Sequence, residues 1–171
     1  MSDLRQNSSA DVLLARPEMP EMFSFTTTDA LNGWLNSMSA HPLEYKKQTY
    51  KTADALFQWL RFDGHPDVQA EILDDPSPVS VRLTAKANRE LLAGRDVKDD
   101  LDLMRQCLKL KVDQHPDLKD KLKTTGDRLI VEDCTARQRG DALYWGMAQV
   151  KGQWVGENWL GLLWMEVRGK L

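Results

Sequence analysis

Hydrophobic residues recur at helical spacing over most of the chain. The longest stripe repeats every three or four residues and consists of Val97, Leu101, Met104, Leu108 and Val112. This spacing predicts an amphipathic helix with one apolar face. An earlier stripe of Leu56, Trp59 and Leu60 predicts another helix, with Thr52 as its N-cap.

Further elements follow from shorter patterns. We expect helices over residues 65–73, over residues 79–93 and from Pro116 onward, where proline suits the first helical position. The segment Asn158–Arg168 is apolar on nearly every side and predicts a helix buried in the core. Strands are expected at Met22–Thr27, near Leu43–Tyr50 and in the run R-L-I-V-E that ends at residue 132. The turn residues around Gly33 indicate a loop that crosses the core.

Together these elements predict one helix-rich α+β domain with a few short strands, spanning residues 21–171. A chain of 171 residues is long enough to bury a sizeable core. Residues 1–20 are polar and end in P-E-M-P, so we expect an arm that is flexible or loosely docked.

Composition limits the expected binding partners and the expected cellular compartment. The net charge of −3 gives no strong field, so strong nonspecific binding to nucleic acid is not expected, although a local basic pocket remains open. No apolar run approaches the about 18 residues of a membrane span, and the N-terminus lacks the apolar core of a signal peptide. Cys107 and Cys134 lie far apart, which is typical of reduced core thiols in a cytoplasmic protein.

Candidate chemistry rests on carboxylates near aromatic residues. The chain has no phosphate-binding glycine loop and no nucleophile elbow, and its three histidines form no metal pattern. Asp54 lies on the predicted first helix, and Asp141 precedes the pair Tyr144–Trp145. Two carboxylates facing a pocket suit glycosidic-bond hydrolysis, and aromatic walls suit a flat base. The alternative is that the aromatic pair is a buried packing corner.

Six motifs in order resemble those of the NADAR superfamily, the YbiA-like proteins. G-W-L-N-S-M at Gly33–Met38 is similar to the family's G-x-L-S-N-F/M, and T-A-D-A-L-F-Q-W-L-R-F at Thr52–Phe62 to its T-S-E-H-Y-F-Q-A-Q-K-F. The S-P motif begins at Ser77. L-M-R-Q-C-L-K-L-K-V-D-Q-H-P-D-L, T-G-D-R-L-I-V-E and the tail G-E-N-W-L-G-L-L-W-M-E-V-R follow in the family's order. The resemblance implies a helix-rich α+β fold and an N-glycosidase activity. Known members cleave phosphoribosylamino-pyrimidine intermediates of riboflavin synthesis or remove ADP-ribose from guanine in DNA.

The resemblance implies catalytic roles for Asp54 and Asp141, but the chain departs from the family at both. Asp54 aligns with the glutamate of T-S-E-H and is shorter by one methylene, and the adjacent histidine is Ala55 here. The family's D-x-Y-W-G becomes D-A-L-Y-W-G, which is one residue longer. We therefore expect Asp141 to serve only if its loop bulges.

Two other positions lose family features. Ahead of the long helix, the family's aromatic residue and lysine fall near Asp96 and Asp100, so a stacking surface and a basic group are expected to be lost. The family's G-R aligns with Ala85–Lys86, which keeps a positive charge without the arginine fork that holds phosphate in a bidentate manner.

The remaining candidates match the family or neighbour its motifs. Those assigned to ligand binding are Ser37, Gln58, Lys86, Tyr144, Trp145, Gly146 and Asn158. Ser37 meets a ribose hydroxyl or closes a turn, and Asn158 contacts a ligand or caps the last helix. Arg61 and Arg168 are phosphate partners or solvated surface residues.

The leading hypothesis is an N-glycosidase acting on a ribose-phosphate or ADP-ribose-type substrate, with no cofactor and no metal. Asp54 would stabilise the oxocarbenium ion or activate water, and Asp141 would assist. The predicted partner is a nucleotide-like small molecule or an ADP-ribosylated base, and not a membrane. The alternatives are an impaired family member that binds such a ligand without cleaving it, and a protein-interaction module.

Overall fold

Three helices and a parallel strand pair form the core. The computed structural model describes residues 21–171, so the predicted arm lies outside the described residues. Strand β1 (Met22–Phe25) pairs in parallel with β4 (Leu129–Glu132), with Phe25 opposite Glu132. Helix α7 (Trp159–Arg168) packs on β4, helix α4 (Val97–Gln114) packs on α7, and α1 (Ala53–Arg61) packs on α4.

Smaller elements surround this core. Helices α2 (Pro66–Asp74) and α3 (Pro78–Ala87) pack against α1, and α5 (Pro116–Thr124) packs against α4. Strands β2 (Leu43–Tyr45) and β3 (Gln48–Tyr50) form a hairpin. After the one-turn helix α6 (Ala142–Trp145), strands β5 (Ala148–Val150) and β6 (Gln153–Val155) form a second hairpin. The fold is α+β, as the sequence predicts.

Helix starts agree with the local sequence. The Thr52 side chain accepts a hydrogen bond from the Ala55 amide at the start of α1. Ser77 and Ser80 form a reciprocal capping box at α3, and Asp96 caps α4 by accepting from the Lys98 amide. Proline occupies the first turn of α2, α3 and α5.

Three element predictions needed correction. The helix predicted over residues 79–93 ends at residue 87, and Arg89–Leu92 form a separate 3-10 turn. The strand predicted near Leu43–Tyr50 is a hairpin, since Lys46 and Lys47 adopt the left-handed conformation that a tight turn requires. The β5–β6 hairpin is absent from the sequence prediction because each of its strands has only three residues.

Two buried polar side chains fix the chain around the core. The indole nitrogen of Trp164 on α7 donates a 2.8 Å hydrogen bond to the Leu35 carbonyl. The fully buried Lys111 on α4 donates to the carbonyl of Asn36 at 3.0 Å and to the hydroxyl of Ser39 at 2.6 Å. Both contacts hold the loop that the sequence predicts to cross the core. That loop carries Ser37 to the site.

Candidate active site

A cavity of about 910 Å³ opens where β4 ends beside α1, α3 and α6. Seven of the nine sequence-predicted site residues line it, namely Ser37, Asp54, Gln58, Lys86, Asp141, Tyr144 and Trp145. Residues from four separate segments of the chain therefore meet in one cavity.

Asp54 lies in the first turn of α1 and is 1% exposed. Its backbone amide donates a 2.9 Å hydrogen bond to the Ser37 carbonyl. Arg82 of α3 donates hydrogen bonds to both carboxylate oxygens of Asp54, with Nε 3.0 Å from Oδ2 and Nη2 2.9 Å from Oδ1. The Asp54 carboxylate raises the pKa of the Arg82 guanidinium, so this is a charge-paired, bidentate contact.

Glu132 is a second carboxylate of the cavity, at the carboxyl end of β4. Burial raises the pKa of Glu132 to about 7, although the nearby Arg82 and Arg137 oppose that rise. Its backbone is fixed on both sides, because its amide donates to Asn158 Oδ1 at 3.1 Å and its carbonyl accepts from the Met147 amide at 2.8 Å. A carboxyl group that titrates near neutral pH is suited to both proton donation and proton acceptance.

Asp141 directly precedes α6 and is exposed at the cavity wall. Its Oδ2 accepts a 3.0 Å hydrogen bond from the Trp145 indole nitrogen. The segment from Asp141 to Tyr144 is one residue longer than the family pattern. A helical turn accommodates the extra residue, because it places residues three and four positions apart on one face. The structure thus uses a helical turn, where the sequence suggested a bulge.

Aromatic rings cover one side of the cavity. The Trp145 ring meets Tyr144 edge-on at a centroid distance of 5.1 Å and meets Phe57 edge-on at 5.7 Å. The Tyr144 hydroxyl is buried and has no hydrogen-bond partner among residues 21–171. The Tyr144–Trp145 pair therefore combines features of an aromatic cavity wall and of a packing corner, because these rings pack on the core and also face the cavity.

Gln58, Arg61 and Asp100 form a polar group beside the rings. Arg61 Nη1 donates a 3.1 Å hydrogen bond to Gln58 Oε1, and Arg61 Nε lies 3.0 Å from Asp100 Oδ2. The Arg61 guanidinium also lies over the Phe57 ring at 5.4 Å. Arg95 pairs with the other oxygen of Asp100 at 3.3 Å. Asp100 thus lies in the cavity wall, near the position where the family resemblance implies a lysine.

Cations outnumber carboxylates in the cavity wall. The basic residues are Arg61, Arg82, Lys86, Arg89, Arg137 and Arg139, and the acidic ones are Asp54, Asp100, Glu132 and Asp141. Among the residues described, Lys86, Arg89, Arg137 and Arg139 make no salt bridge. These four, called the unpaired cations below, give the cavity a surplus of positive charge suited to an anionic group.

Gly146, Asn158 and Arg168 lie outside the cavity wall. Asn158 adopts a left-handed conformation and uses its amide to bond the backbone of β4, accepting from Glu132 and donating to the Ile130 carbonyl at 2.8 Å. Gly146 passes so close to the Glu132 carbonyl that a Cβ atom would lie 2.5 Å from it. Arg168 donates to Thr125 and to the Arg128 carbonyl. Asn158 and Gly146 thus position Glu132.

Sequence reasoning missed Arg82 and Glu132. Arg82 follows Asp54 by 28 positions, so no local spacing links the two residues before the helices pack. Glu132 carries a stronger signal, since it ends a predicted strand within a family-like motif and precedes a polar loop. Residues 21–171 contain no group of three or more side chains arranged to hold a metal, and none of their helices is long and apolar enough to cross a bilayer.

Comparisons with known proteins agree with this fold. The structure defines the class of protein as an α+β domain with carboxylates, cations and aromatic rings around one pocket. The sequence profile of the NADAR domain matches residues 22–171, and the chain belongs to this family.

Two similar proteins share the name N-glycosidase YbiA. N-glycosidase YbiA of Escherichia coli (strain K12) is 30% identical over 152 residues, which are 88% of this chain and 88% of that protein. N-glycosidase YbiA of Shigella flexneri serotype 5b (strain 8401) matches equally, at 30% identity and 88% of each chain. The NMR structure of E. coli YbiA superposes with a TM-score of 0.70 at 25% identity, covering 89% of this chain and 85% of that one. The names of these relatives support a glycosidase-type function.

Proposed function

We propose that this chain is an N-glycosidase that hydrolyses the bond between a phosphorylated ribose and a nitrogen of a heterocyclic base, either in the ring or on an amino group. The substrate classes are a ribose-phosphate intermediate of the riboflavin-pathway type and an ADP-ribose-type conjugate of a base. The observation that carries the proposal is the placement of Glu132, which titrates near neutral pH, in one cavity with Asp54, Asp141 and the unpaired cations.

Glu132 supplies the proton in this proposal. The bond from ribose C1′ to the base nitrogen, which is an amino nitrogen in the phosphoribosylamino-pyrimidines, breaks and its electron pair goes to that nitrogen. The Glu132 carboxyl group donates a proton there. The resulting Glu132 carboxylate takes a proton from the water that attacks C1′, which restores the starting state. Atoms and charge balance without a cofactor.

Asp54 and Asp141 supply negative charge near the oxocarbenium-like transition state. Asp54 is better suited to electrostatic stabilisation than to proton transfer, because Arg82 holds both of its oxygens. Asp141 assists from α6, where the Trp145 indole fixes one of its oxygens. The unpaired cations bind the phosphate, and Tyr144 and Trp145 lie beside the leaving ring. The free buried thiols of Cys107 and Cys134 support a cytoplasmic setting.

The test is a hydrolysis assay on a panel of candidates. The panel contains phosphoribosylamino-pyrimidines, free ADP-ribose and DNA carrying ADP-ribose on guanine, and mass spectrometry detects the released base. We expect one class to be cleaved, and Glu132→Gln to lose about 100-fold or more in kcat. Glu71→Gln, on the exposed face of α2, is the matched control and keeps full activity. Turnover that survives in Glu132→Gln would exclude Glu132 as the proton donor.

A second candidate is binding without cleavage. The Arg82 grip on Asp54 favours it, since a carboxylate with both oxygens occupied contributes less to catalysis. In that case the panel yields no product, while ADP-ribose or a phosphoribosylamino-pyrimidine raises the melting temperature. Arg82→Gln should then release Asp54 without producing turnover.

A further inference from the structure

The Gln58–Arg61–Asp100 group has no role in the chemistry described above. Arg61 joins the three residues, since it bonds Gln58 and pairs with Asp100, and its guanidinium lies over the Phe57 ring at 5.4 Å. Arg95 fixes Asp100 from the other side. The Arg61 and Asp100 side chains are only 24% and 19% exposed, so the group is a built part of the cavity wall.

The pairing changes what this wall can bind. Asp100 offsets the charge of Arg61, and Arg95 also pairs with it, so the group keeps one excess positive charge. It therefore attracts an anion less strongly than the unpaired cations do. Asp100 retains free lone pairs, since a carboxylate offers about four acceptor positions. Arg61 and Gln58 retain N–H donors. A carboxylate acceptor therefore lies next to N–H donors on one wall.

The neighbouring Tyr144 hydroxyl points to the same conclusion independently. It is buried in the cavity wall and has no partner among the residues described, whereas buried hydroxyl groups are normally hydrogen-bonded. A bound molecule that supplies a polar atom beside the aromatic rings would satisfy it. That molecule is a flat ring with polar atoms on its edge, because Tyr144 and Trp145 offer π-faces and ring edges.

We propose that Asp100 is a specificity-determining residue, which makes this wall select a neutral heterocycle that presents an N–H donor next to a carbonyl. The N–H donates to Asp100, and the carbonyl accepts from Arg61 or Gln58. A ring with an anionic group on that edge binds less tightly, since its charge meets the Asp100 carboxylate in a partly desolvated wall. This inference rests on the proposed function, because the ring is the leaving group of the glycosidase reaction.

The test measures ring binding alone and needs no turnover. The probes are isocytosine, which is neutral and has N–H next to a carbonyl, and orotate, a pyrimidine of similar size with a carboxylate. NMR titration of the wild-type protein should place isocytosine at the Tyr144 and Trp145 signals, with tighter binding than orotate. In Asp100→Asn the affinity ratio should shift about tenfold toward orotate, because a charge-assisted hydrogen bond is replaced by a neutral one. Asp113→Asn, an exposed aspartate on the same helix, is the control and should leave the ratio unchanged.

Arg61→Gln provides a second variant with the opposite expectation. Removing the guanidinium leaves the Asp100 charge less compensated, so orotate binding should weaken more than isocytosine binding. An unchanged ratio in folded Asp100→Asn and Arg61→Gln, or isocytosine that binds away from Tyr144 and Trp145, overturns the proposal. A ratio that shifts as expected without hydrolysis of any substrate removes the proposed function and leaves this ring preference standing. Hydrolysis of a substrate together with an unchanged affinity ratio would support the proposed function and overturn this ring preference.

Discussion

Two carboxylates of the cavity, those of Asp54 and Glu132, have opposite electrostatic surroundings. The buried Asp54 is matched by a guanidinium on both oxygens, at the first turn of a helix whose dipole also favours negative charge. Burial removes Glu132 from water, and the charges of the neighbouring arginines offset this loss of solvation only in part. Burial therefore raises the pKa of Glu132 to about 7. Environment therefore separates two chemically similar groups into an arginine-paired carboxylate and a proton carrier.

Replacing Glu132 should raise stability at alkaline pH. The pKa of Glu132 is about 7 in the fold and near 4.5 in its ordinary range, so the folded state binds more protons between these values. Its contribution is fully present below about pH 4.5 and is lost as the pH rises through 7. Glu132→Gln is neutral throughout, so its free energy of unfolding relative to wild type should increase between pH 5 and pH 8 by up to about 3 kcal/mol.

Chemical denaturation at the two pH values measures this difference. Glu71→Gln, whose carboxylate is exposed, should show no such increase and serves as the control. A Glu132→Gln protein whose stability runs parallel to wild type from pH 5 to pH 8 would mean that Glu132 keeps an ordinary pKa. Such a result would also weaken its assignment as the acid.

Individual site residues were predictable from the sequence to different degrees. Asp54 and Asp141 were found because they fall in motifs with a recognisable order, and both line the cavity. Arg82 was missed because its link to Asp54 exists only after α3 packs against α1. Asn158 is predicted to contact a ligand or to cap the last helix. It occupies the N-cap position of α7, but its side chain makes no capping bond and instead bonds the backbone of β4, which no local pattern reveals.

At the scale of elements, α7 approaches β4 more closely than side chains normally allow. A Cβ atom at Gly161 would lie 2.1 Å from the Ile130 carbonyl oxygen and 2.5 Å from the Asn158 amide nitrogen. Glycine at this position therefore sets the distance between the helix and the strand that carries Glu132. The family-like motif N-W-L-G thus has a packing cause.

Gly161→Ala should destabilise the fold by about 3 kcal/mol, because the added methyl group pushes α7 away from β4 and strains the core. Gly169→Ala is the matched control at the end of the same helix, where a Cβ atom would meet nothing closer than 3.5 Å. Its effect should stay within about 0.5 kcal/mol. Urea denaturation compares the two variants, and equal stability would contradict the close contact of α7 with β4.

The main elements follow from the sequence because periodic burial fixes them. Met104, Leu108 and Val112 of the stripe on α4 are buried where this helix packs against α1 and α7, as the apolar spacing predicts. Val97, at the start of the stripe, is 58% exposed. The β5–β6 hairpin and α6 lack that signal, since their strands have three residues each and α6 has four. Their conformation depends on contacts such as the bond from the Glu157 amide to the Leu143 carbonyl, which no local pattern reveals.

For the molecule as a whole, net charge and local charge have opposite signs. The chain carries a net charge of −3, yet the unpaired cations line the cavity. An anion should therefore bind there despite the negative protein. We expect inorganic pyrophosphate to raise the melting temperature at 50 mM NaCl, with a smaller shift at 0.5 M NaCl because salt screens the cations (Debye lengths of about 14 and 4 Å).

The double variant Arg137→Gln, Arg139→Gln should weaken pyrophosphate binding about tenfold, since two cavity cations are removed. Lys123→Gln removes one positive charge from α5 and should leave the affinity unchanged, as this residue does not line the cavity. Isothermal titration calorimetry measures both. Equal losses in the two proteins would show a general charge effect with no contribution from the site.

The register of β1 with β4 has one more consequence. Leu129 begins β4 and bonds the Glu21 carbonyl, and the preceding Arg128 accepts a hydrogen bond from Arg168 near the end of α7. The first and last described segments therefore meet at the end of the domain where β4 starts. Glu132 lines the cavity at the opposite end, where β4 stops. A second protein module joined at residue 21 or after residue 171 would leave the cavity mouth facing away from it. The same proximity makes residues 21–171 suitable for circular permutation, with a short linker joining residue 171 to residue 21 and new termini in the β5–β6 turn.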